Sequence, residues 1–164
     1  MKAGKISYAG VGVAVGGLVG FLGVMVGWFS YSYPLGNGTA TVTMGGTADW
    51  TGAVAMAAAV GAFAFGGAFV LLQDAKVRRI SGVLMAVSSA FLLVMSLFGF
   101  GRISEAVGVP VSTFSTATGK GLLLSFAGGI VALVGSFLAS REMLASGPVV
   151  ASEAPSAPAE VVEA

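Results

Sequence analysis

The chain has 164 residues, of which 56% are hydrophobic and only 9% charged, whereas soluble domains carry about 25% charged residues. It contains no cysteine and no histidine, and its net charge is +1. These values exclude disulfides, thiolate and imidazole chemistry, and the strongly basic surface with which proteins bind nucleic acid. The composition predicts an integral membrane protein, which has the lipid bilayer as a partner.

Four uncharged stretches divide the sequence, and each reaches the roughly 20 residues that a helix needs to cross the hydrocarbon. They predict transmembrane helices over residues 9–31, 51–72, 80–101 and 121–140. A barrel is disfavoured because the apolar stretches lack a period of two. The first stretch is too long for a signal peptide and lacks a clear cleavage site, so we expect it to be retained. The predicted fold class is an all-α membrane protein, a four-transmembrane-helix bundle.

A β-hairpin is predicted in the first outer loop. Serine alternates with tyrosine over residues 30–33, and threonine alternates with apolar residues over residues 39–44. Pro34, Gly36, Asn37 and Gly38 between them supply turn chemistry. We expect a small hairpin on the extracytoplasmic side of the bundle.

Aromatic residues cluster where the first two predicted helices meet this loop. The cluster consists of Trp28, Phe29, Tyr31, Tyr33 and Trp50. Amphipathic aromatic rings concentrate at the boundary between membrane and water. We interpret the cluster as an interfacial aromatic belt rather than a ligand-stacking site.

Basic residues are distributed unevenly between the two sides of the predicted bundle. One side carries Lys2, Lys5, Lys76, Arg78, Arg79 and Arg141, and the other carries Arg102 and Lys120. By the positive-inside rule both termini are predicted to be cytoplasmic in a plasma (inner) membrane, with Lys76, Arg78 and Arg79 as the topology signal. The richness in alanine, glycine and valine is typical of a prokaryotic protein.

The predicted domain organisation is a four-span transmembrane domain over residues 1–144 and a tail over residues 145–164. The tail combines three prolines and three glutamates with alanine, valine and serine. Such a composition buries too little apolar area to offset the entropy of ordering. We expect a disordered cytoplasmic tail.

Small residues recur every fourth position in three of the predicted helices. The positions are Gly12, Gly16 and Gly20 and, with the interval repeated, Gly23 and Gly27 in the first, Gly82, Ala86 and Ala90 in the third, and Gly128, Ala132 and Ser136 in the fourth. Such faces allow two helix backbones to approach closely in lipid. Two uses are open: packing within the chain, and docking of another copy or another membrane protein.

Charged residues are missing from all four predicted spans, which argues against an ion-coupled transporter. A hydroxyl-lined path is conceivable through Ser81, Ser88, Ser89, Ser96 and Ser125. Serines in membrane helices, however, commonly bond to a carbonyl one turn earlier. Since the sequence also lacks an activated nucleophile with its base, we expect no catalysis, no cofactor and no metal.

The layout of residues 8–142 resembles small four-span actinobacterial membrane proteins of the tryptophan-biosynthesis-associated type. The resemblance is carried by Gly27, Trp28 and Phe29 at the end of the first span, a loop rich in threonine and glycine, an alanine-rich second span and the basic turn 76–79. It implies a membrane location and this topology, and it transfers no functional residues.

Together these features predict a non-catalytic accessory or scaffolding subunit of a larger membrane complex. Its partners would be other membrane subunits or further copies of itself, docked through the small-residue faces. The alternative is a small channel or carrier for an uncharged or lipid-like substrate.

Overall fold

A computed structural model describes residues 7–48, 50–72, 74–107 and 119–145. The elements in chain order are helix α1 (Tyr8–Met25), strand β1 (Gly27–Leu35), strand β2 (Gly38–Gly45), a 3-10 turn (Gly46–Ala48), and helices α2 (Trp50–Leu71), α3 (Ala75–Val107) and α4 (Lys120–Ala145). The predicted tail from residue 146 onward, Lys2 and Lys5 lie outside the described residues.

The four helices are each long and apolar enough to cross a membrane, as the sequence predicts. The shortest, α1, has 18 residues and is therefore about 27 Å long at 1.5 Å per residue. This is close to the roughly 30 Å thickness of the hydrocarbon core. The number of spanning helices is thus confirmed by length and composition.

The helices form a bundle of ring order α1–α2–α3–α4, in which each helix packs against the two beside it and α4 closes the ring against α1. Helix α1 contacts α2 and α4, and α3 contacts the same two helices. The contacts between α1 and α4 run antiparallel, since Gly12 lies near Gly135 whereas Gly23 lies near Ser125. We call the end with β1 and β2 the hairpin end, and the end where α1 begins and α4 finishes the terminal end.

Helix α1 begins with a side-chain cap and ends earlier than predicted. The Ser7 hydroxyl accepts a hydrogen bond from the Gly10 backbone N–H at 3.2 Å, as is common for N-cap serines. The helix stops at Met25 because Val26 is extended, with φ −80° and ψ 153°. The predicted boundary at residue 31 was therefore wrong: the alternating residues that follow satisfy their backbone in strand β1 instead.

The predicted hairpin is present and longer than expected. Strands β1 and β2 pair antiparallel from Gly27 opposite Gly45 to Leu35 opposite Gly38. Gly36 in the two-residue turn has φ +59°, a conformation that glycine adopts without a steric penalty. Strand β1 begins two residues after α1 ends, so the hairpin continues directly from the bundle.

Helix α3 extends beyond the predicted span 80–101 at both ends. It starts at Ala75, where the Asp74 carboxylate accepts hydrogen bonds from the backbone N–H groups of Lys76 (2.8 Å) and Val77 (3.1 Å). Its 33 residues give a length of about 50 Å. Hydropathy marks only the apolar part of a helix, whereas its polar ends continue outside the hydrocarbon.

Alanine and glycine fill much of the bundle interior, and many large apolar side chains lie on its outer surface. Ala59, Ala62 and Ala132 are fully buried, whereas Phe98 and Phe137 are 57% and 63% exposed. A soluble monomer rarely exposes a continuous apolar surface of this kind. The arrangement suits an outer surface solvated by lipid chains and an interior held together by close helix approach.

Candidate functional site: the small-residue interfaces and the buried tryptophan

The backbones of helices α1 and α4 approach each other closely at their glycines. A Cβ atom added at Gly16 would lie 2.5 Å from the Ala132 nitrogen and 2.7 Å from the Gly128 carbonyl oxygen. Conversely, a Cβ at Gly128 would lie 2.5 Å from the Gly20 nitrogen. Neither position has room for a side chain, so these glycines set the separation of the two helices.

The same interface continues towards the hairpin end. Gly23 faces Ser125, and the Ser125 hydroxyl donates a hydrogen bond to the Gly20 carbonyl oxygen at 3.3 Å. At the terminal end the two helices stay close, because a Cβ at Gly135 would lie 2.9 Å from the Val13 nitrogen and 3.0 Å from the Ala9 carbonyl oxygen. Gly12 lies at the edge of this contact, where a Cβ would meet nothing closer than the Gly135 Cα at 3.9 Å. Packing within the chain, one of the two uses open from the sequence, accounts for Gly16, Gly20 and Gly23.

Helix α1 carries a second small-residue face, directed at α2, which our sequence analysis missed. A Cβ at Gly17 would lie 2.5 Å from the Phe63 nitrogen, and one at Gly10 would lie 3.3 Å from the Gly66 carbonyl oxygen. Gly10 and Gly17 are seven residues apart, which places them on one face two turns apart. The seven-residue spacing of these two glycines is visible in the sequence, but the four-residue spacing that starts at Gly12 was the only one considered.

The remaining predicted small residues have mixed surroundings. Gly82 is covered by the side chain of Met143 on α4, and Gly27, in strand β1, lies against the Thr43 side chain. Ala86 and Ala90 on α3 are half-buried. Gly82 and Gly27 thus lie against side chains and not against the backbone of an opposing helix.

Three buried serines of α3 and α4 bond to carbonyl oxygens of their own helices. The hydroxyls of Ser89, Ser96 and Ser136 donate to the carbonyl oxygens four residues earlier, at 2.7, 2.8 and 2.9 Å. Ser89 and Ser136 also lie 3.1 Å apart and link α3 to α4. All three are buried, so their hydroxyls hold the packed interior together in this state.

Trp28 is buried in the core at the hairpin end of the bundle, and its ring is not part of the predicted aromatic belt. It is fully buried and packs with Val24 and Leu122, among other residues. The pairing of β1 with β2 shifts between Gly27 and Phe29, which leaves Trp28 as an extra residue in a β-bulge. Bulges redirect a side chain, and this one turns the indole into the bundle.

Two glycines make room for the indole ring. A Cβ at Gly46 would lie 2.8 Å from the Trp28 Nε1, and one at Gly99 would lie 3.0 Å from its Cζ3. The Trp28 carbonyl also accepts a hydrogen bond from the Gly119 N–H at 2.8 Å. Within the described part of the chain the buried Nε1–H has no acceptor. Trp28 therefore joins the hairpin, α3 and the start of α4.

The other predicted belt residues lie around the hairpin end. Trp50 is the first residue of α2 and is 59% exposed, and Phe29 is half-buried with its ring edge-on to Trp28 at 6.4 Å. Tyr31 and Tyr33 lie in β1 opposite Val42 and Ala40. Their placement at one end of the apolar helices is compatible with a belt that excludes Trp28.

The predicted topology signal lies at the terminal end, on the first turns of α3. Lys76 and Arg79 are exposed, and Arg78 is half-buried with its guanidinium 4.7 Å from the centroid of the Phe69 ring on α2. The cation–π contact ties the basic turn to the neighbouring helix. Which side of the membrane this turn faces is open to a direct test.

Single-cysteine labelling tests the orientation, because the chain has no cysteine of its own. We expect Asn37→Cys, at the exposed hairpin turn, to react with a membrane-impermeant maleimide in intact cells. Lys76→Cys should react only after the cells are permeabilised, since six of the eight basic residues are predicted to be cytoplasmic. Labelling in the reverse pattern would contradict the predicted topology.

The fold defines the protein as a multi-pass membrane protein with four helices able to span the bilayer. Comparison with protein-family models and with curated proteins gives no match. In the segments that the structure describes, no three Asp or Glu side chains come together as a metal site.

Proposed function

We propose that the protein is a non-catalytic accessory or scaffolding subunit of a larger membrane assembly, in a plasma (inner) membrane with both termini in the cytoplasm. The observation that carries the proposal is the packed interior. The helix backbones touch at the glycines, and buried serine hydroxyls donate to carbonyl oxygens of their own helices. Together these contacts fill the space between the helices. Such a bundle serves as a rigid body that presents its surfaces.

The surface available for a partner differs from the one that the sequence favours. Gly16, Gly20, Gly128 and Ala132 are already in contact within the chain, so they offer no free docking face. The hairpin is the better candidate. Thr41, Thr43 and Met44 of β2 are exposed, and a two-stranded hairpin on its own is only marginally stable in water.

A small channel or carrier is the second candidate from the sequence, and the interior argues against it. The hydroxyls of Ser89 and Ser136 lie 3.1 Å apart and within bonding distance of carbonyl oxygens of their own helices, instead of lining an open path. The accessory role therefore needs fewer additional assumptions.

Copurification after mild detergent extraction tests the proposed role. We expect a native complex larger than one chain, and we expect Met44→Asp to reduce recovery of its partners by about tenfold, since a charge is buried poorly at an apolar contact. Thr47→Asp is the matched control, because it adds the same charge at an exposed position of the same end outside the hairpin. A monomeric particle without partners would contradict the proposal.

A further inference from the structure

A groove of about 700 Å³ runs along the outer surface between α1 and α4 at the terminal end. Apolar side chains of α4 form much of its wall, namely Ile130, Val131, Val134 and Leu138. Gly12 and Gly135 also line it. Because neither glycine has a side chain, the groove reaches the backbones of both helices, beside the close contact of Gly135 with Val13.

The groove has the depth of one membrane leaflet. From Ile130 to Glu142 the lining residues of α4 rise by about 18 Å at 1.5 Å per residue. Half of the hydrocarbon core is about 15 Å thick. Val134, which is 55% exposed, lies in the wall, so the groove faces the surrounding lipid. Its length and apolar wall match one acyl chain.

The terminal end of the groove is polar and carries both signs of charge. Arg141 and Glu142 line it, together with Tyr8. The Arg141 guanidinium lies 5.4 Å from the centroid of the Phe137 ring. The Glu142 Oε2 accepts a hydrogen bond from the Ser7 hydroxyl at 2.7 Å. Both charges are thus held by contacts next to the groove mouth.

We propose that the groove binds a phospholipid with an ethanolamine headgroup. One acyl chain lies in the groove on the outer surface, along the line where α1 and α4 meet. The phosphate contacts Arg141, and the ammonium group contacts Glu142. Arginine recognises phosphate through charge-assisted hydrogen bonds, and an ammonium group donates three hydrogen bonds. A glycerol headgroup brings no cation to Glu142, and a choline headgroup has no N–H to donate.

Native mass spectrometry of the delipidated full chain tests the headgroup. The probes are phosphatidylethanolamine, phosphatidylglycerol and phosphatidylcholine with identical acyl chains. We expect one tightly held ethanolamine lipid per chain, bound about tenfold more strongly than the other two. Equal binding of all three lipids, a preference for the glycerol lipid, or a lipid-independent dimer that covers the groove would overturn the proposal.

Variants locate the site. Gly12→Leu fills the groove from its α1 side and should weaken binding of every probe by at least about tenfold. Gly67→Leu is the control, since a Cβ at Gly67 on α2 meets nothing within 4 Å. If Gly12→Leu does not fold, Val134→Phe obstructs the groove from its lipid-facing side. Unchanged binding in the folded variant would exclude this groove.

The headgroup contact has its own variant. Glu142→Gln keeps an oxygen that can accept the Ser7 hydrogen bond but removes the negative charge. We expect it to abolish the preference for ethanolamine over choline lipid while acyl-chain binding persists. A preference that survives in Glu142→Gln would show that another group recognises the ammonium, and the proposal as stated would be wrong.

Discussion

Replacing Gly16 by alanine is expected to destabilise the bundle by about 1–3 kcal/mol, and replacing it by leucine by more. The added Cβ lies 2.5 Å from the Ala132 nitrogen and 2.9 Å from the Ala132 Cα. These atoms belong to the backbone of α4, so no side-chain rotation relieves the clash. The helices must separate, and the contacts along the whole interface weaken. The measurement is the free energy of unfolding in detergent.

Gly12→Ala is the matched control on the same helix. Its Cβ would lie 3.9 Å from the Gly135 Cα, an ordinary van der Waals distance. Since alanine favours a helix over glycine by up to about 1 kcal/mol, this variant should be neutral or slightly stabilising. Equal stability of the Gly16 and Gly12 variants would contradict the close approach of α1 and α4.

Trp28→Ala should cost about 3–5 kcal/mol of unfolding free energy, the range measured for large aromatic residues removed from cores. The indole is fully buried and contacts the hairpin, α3 and the α4 side of the core. Its loss leaves a cavity that the surrounding backbone cannot close. We expect a lower midpoint in thermal or denaturant unfolding and earlier cleavage of the hairpin by protease.

Trp50→Ala is the control for this prediction, because the chain has only two tryptophans and Trp50 is 59% exposed. It should cost clearly less than Trp28→Ala. Trp28→Phe should recover most of the lost stability, since the buried Nε1–H has no acceptor among the described residues. If the two alanine variants were equally stable, the burial of Trp28 in the core would be refuted.

The four helices were predictable because lipid imposes a length and a composition on any segment that crosses it. The hairpin was predictable because Gly36 and Asn37 lie between two alternating runs. The end of α1 was not, since the apolar run continues past Met25 and hydropathy does not distinguish Val26 in a helix from Val26 in an extended chain. There the pairing of β1 with β2 decides the conformation.

The position of Trp28 illustrates what composition alone misses. An aromatic residue at the end of an apolar run is typical of the membrane boundary. Trp28 is nevertheless fully buried, and Phe29 packs half-buried against the same cluster. The bulge that selects Trp28 for the interior depends on β2 and Gly46, which are distant in sequence.

Small-residue ladders identify a helix face but not the helix that it contacts. The ladder through Gly16 and Gly20 meets α4, and the pair Gly10 and Gly17 meets α2. Both assignments need the order of helices around the bundle, which four similar apolar stretches do not encode locally. The sequence therefore left open whether the ladder serves folding or a partner.

The distribution of side-chain size has an evolutionary consequence. A glycine can change only by becoming larger, so every substitution at Gly16 or Gly128 adds atoms where the opposite backbone already lies. Outward positions such as Leu18 and Phe137 are free of that restriction. Mutational tolerance should thus be greater at outward-facing bulky positions than at these glycines, so selection at the helix contacts acts chiefly on the absence of volume.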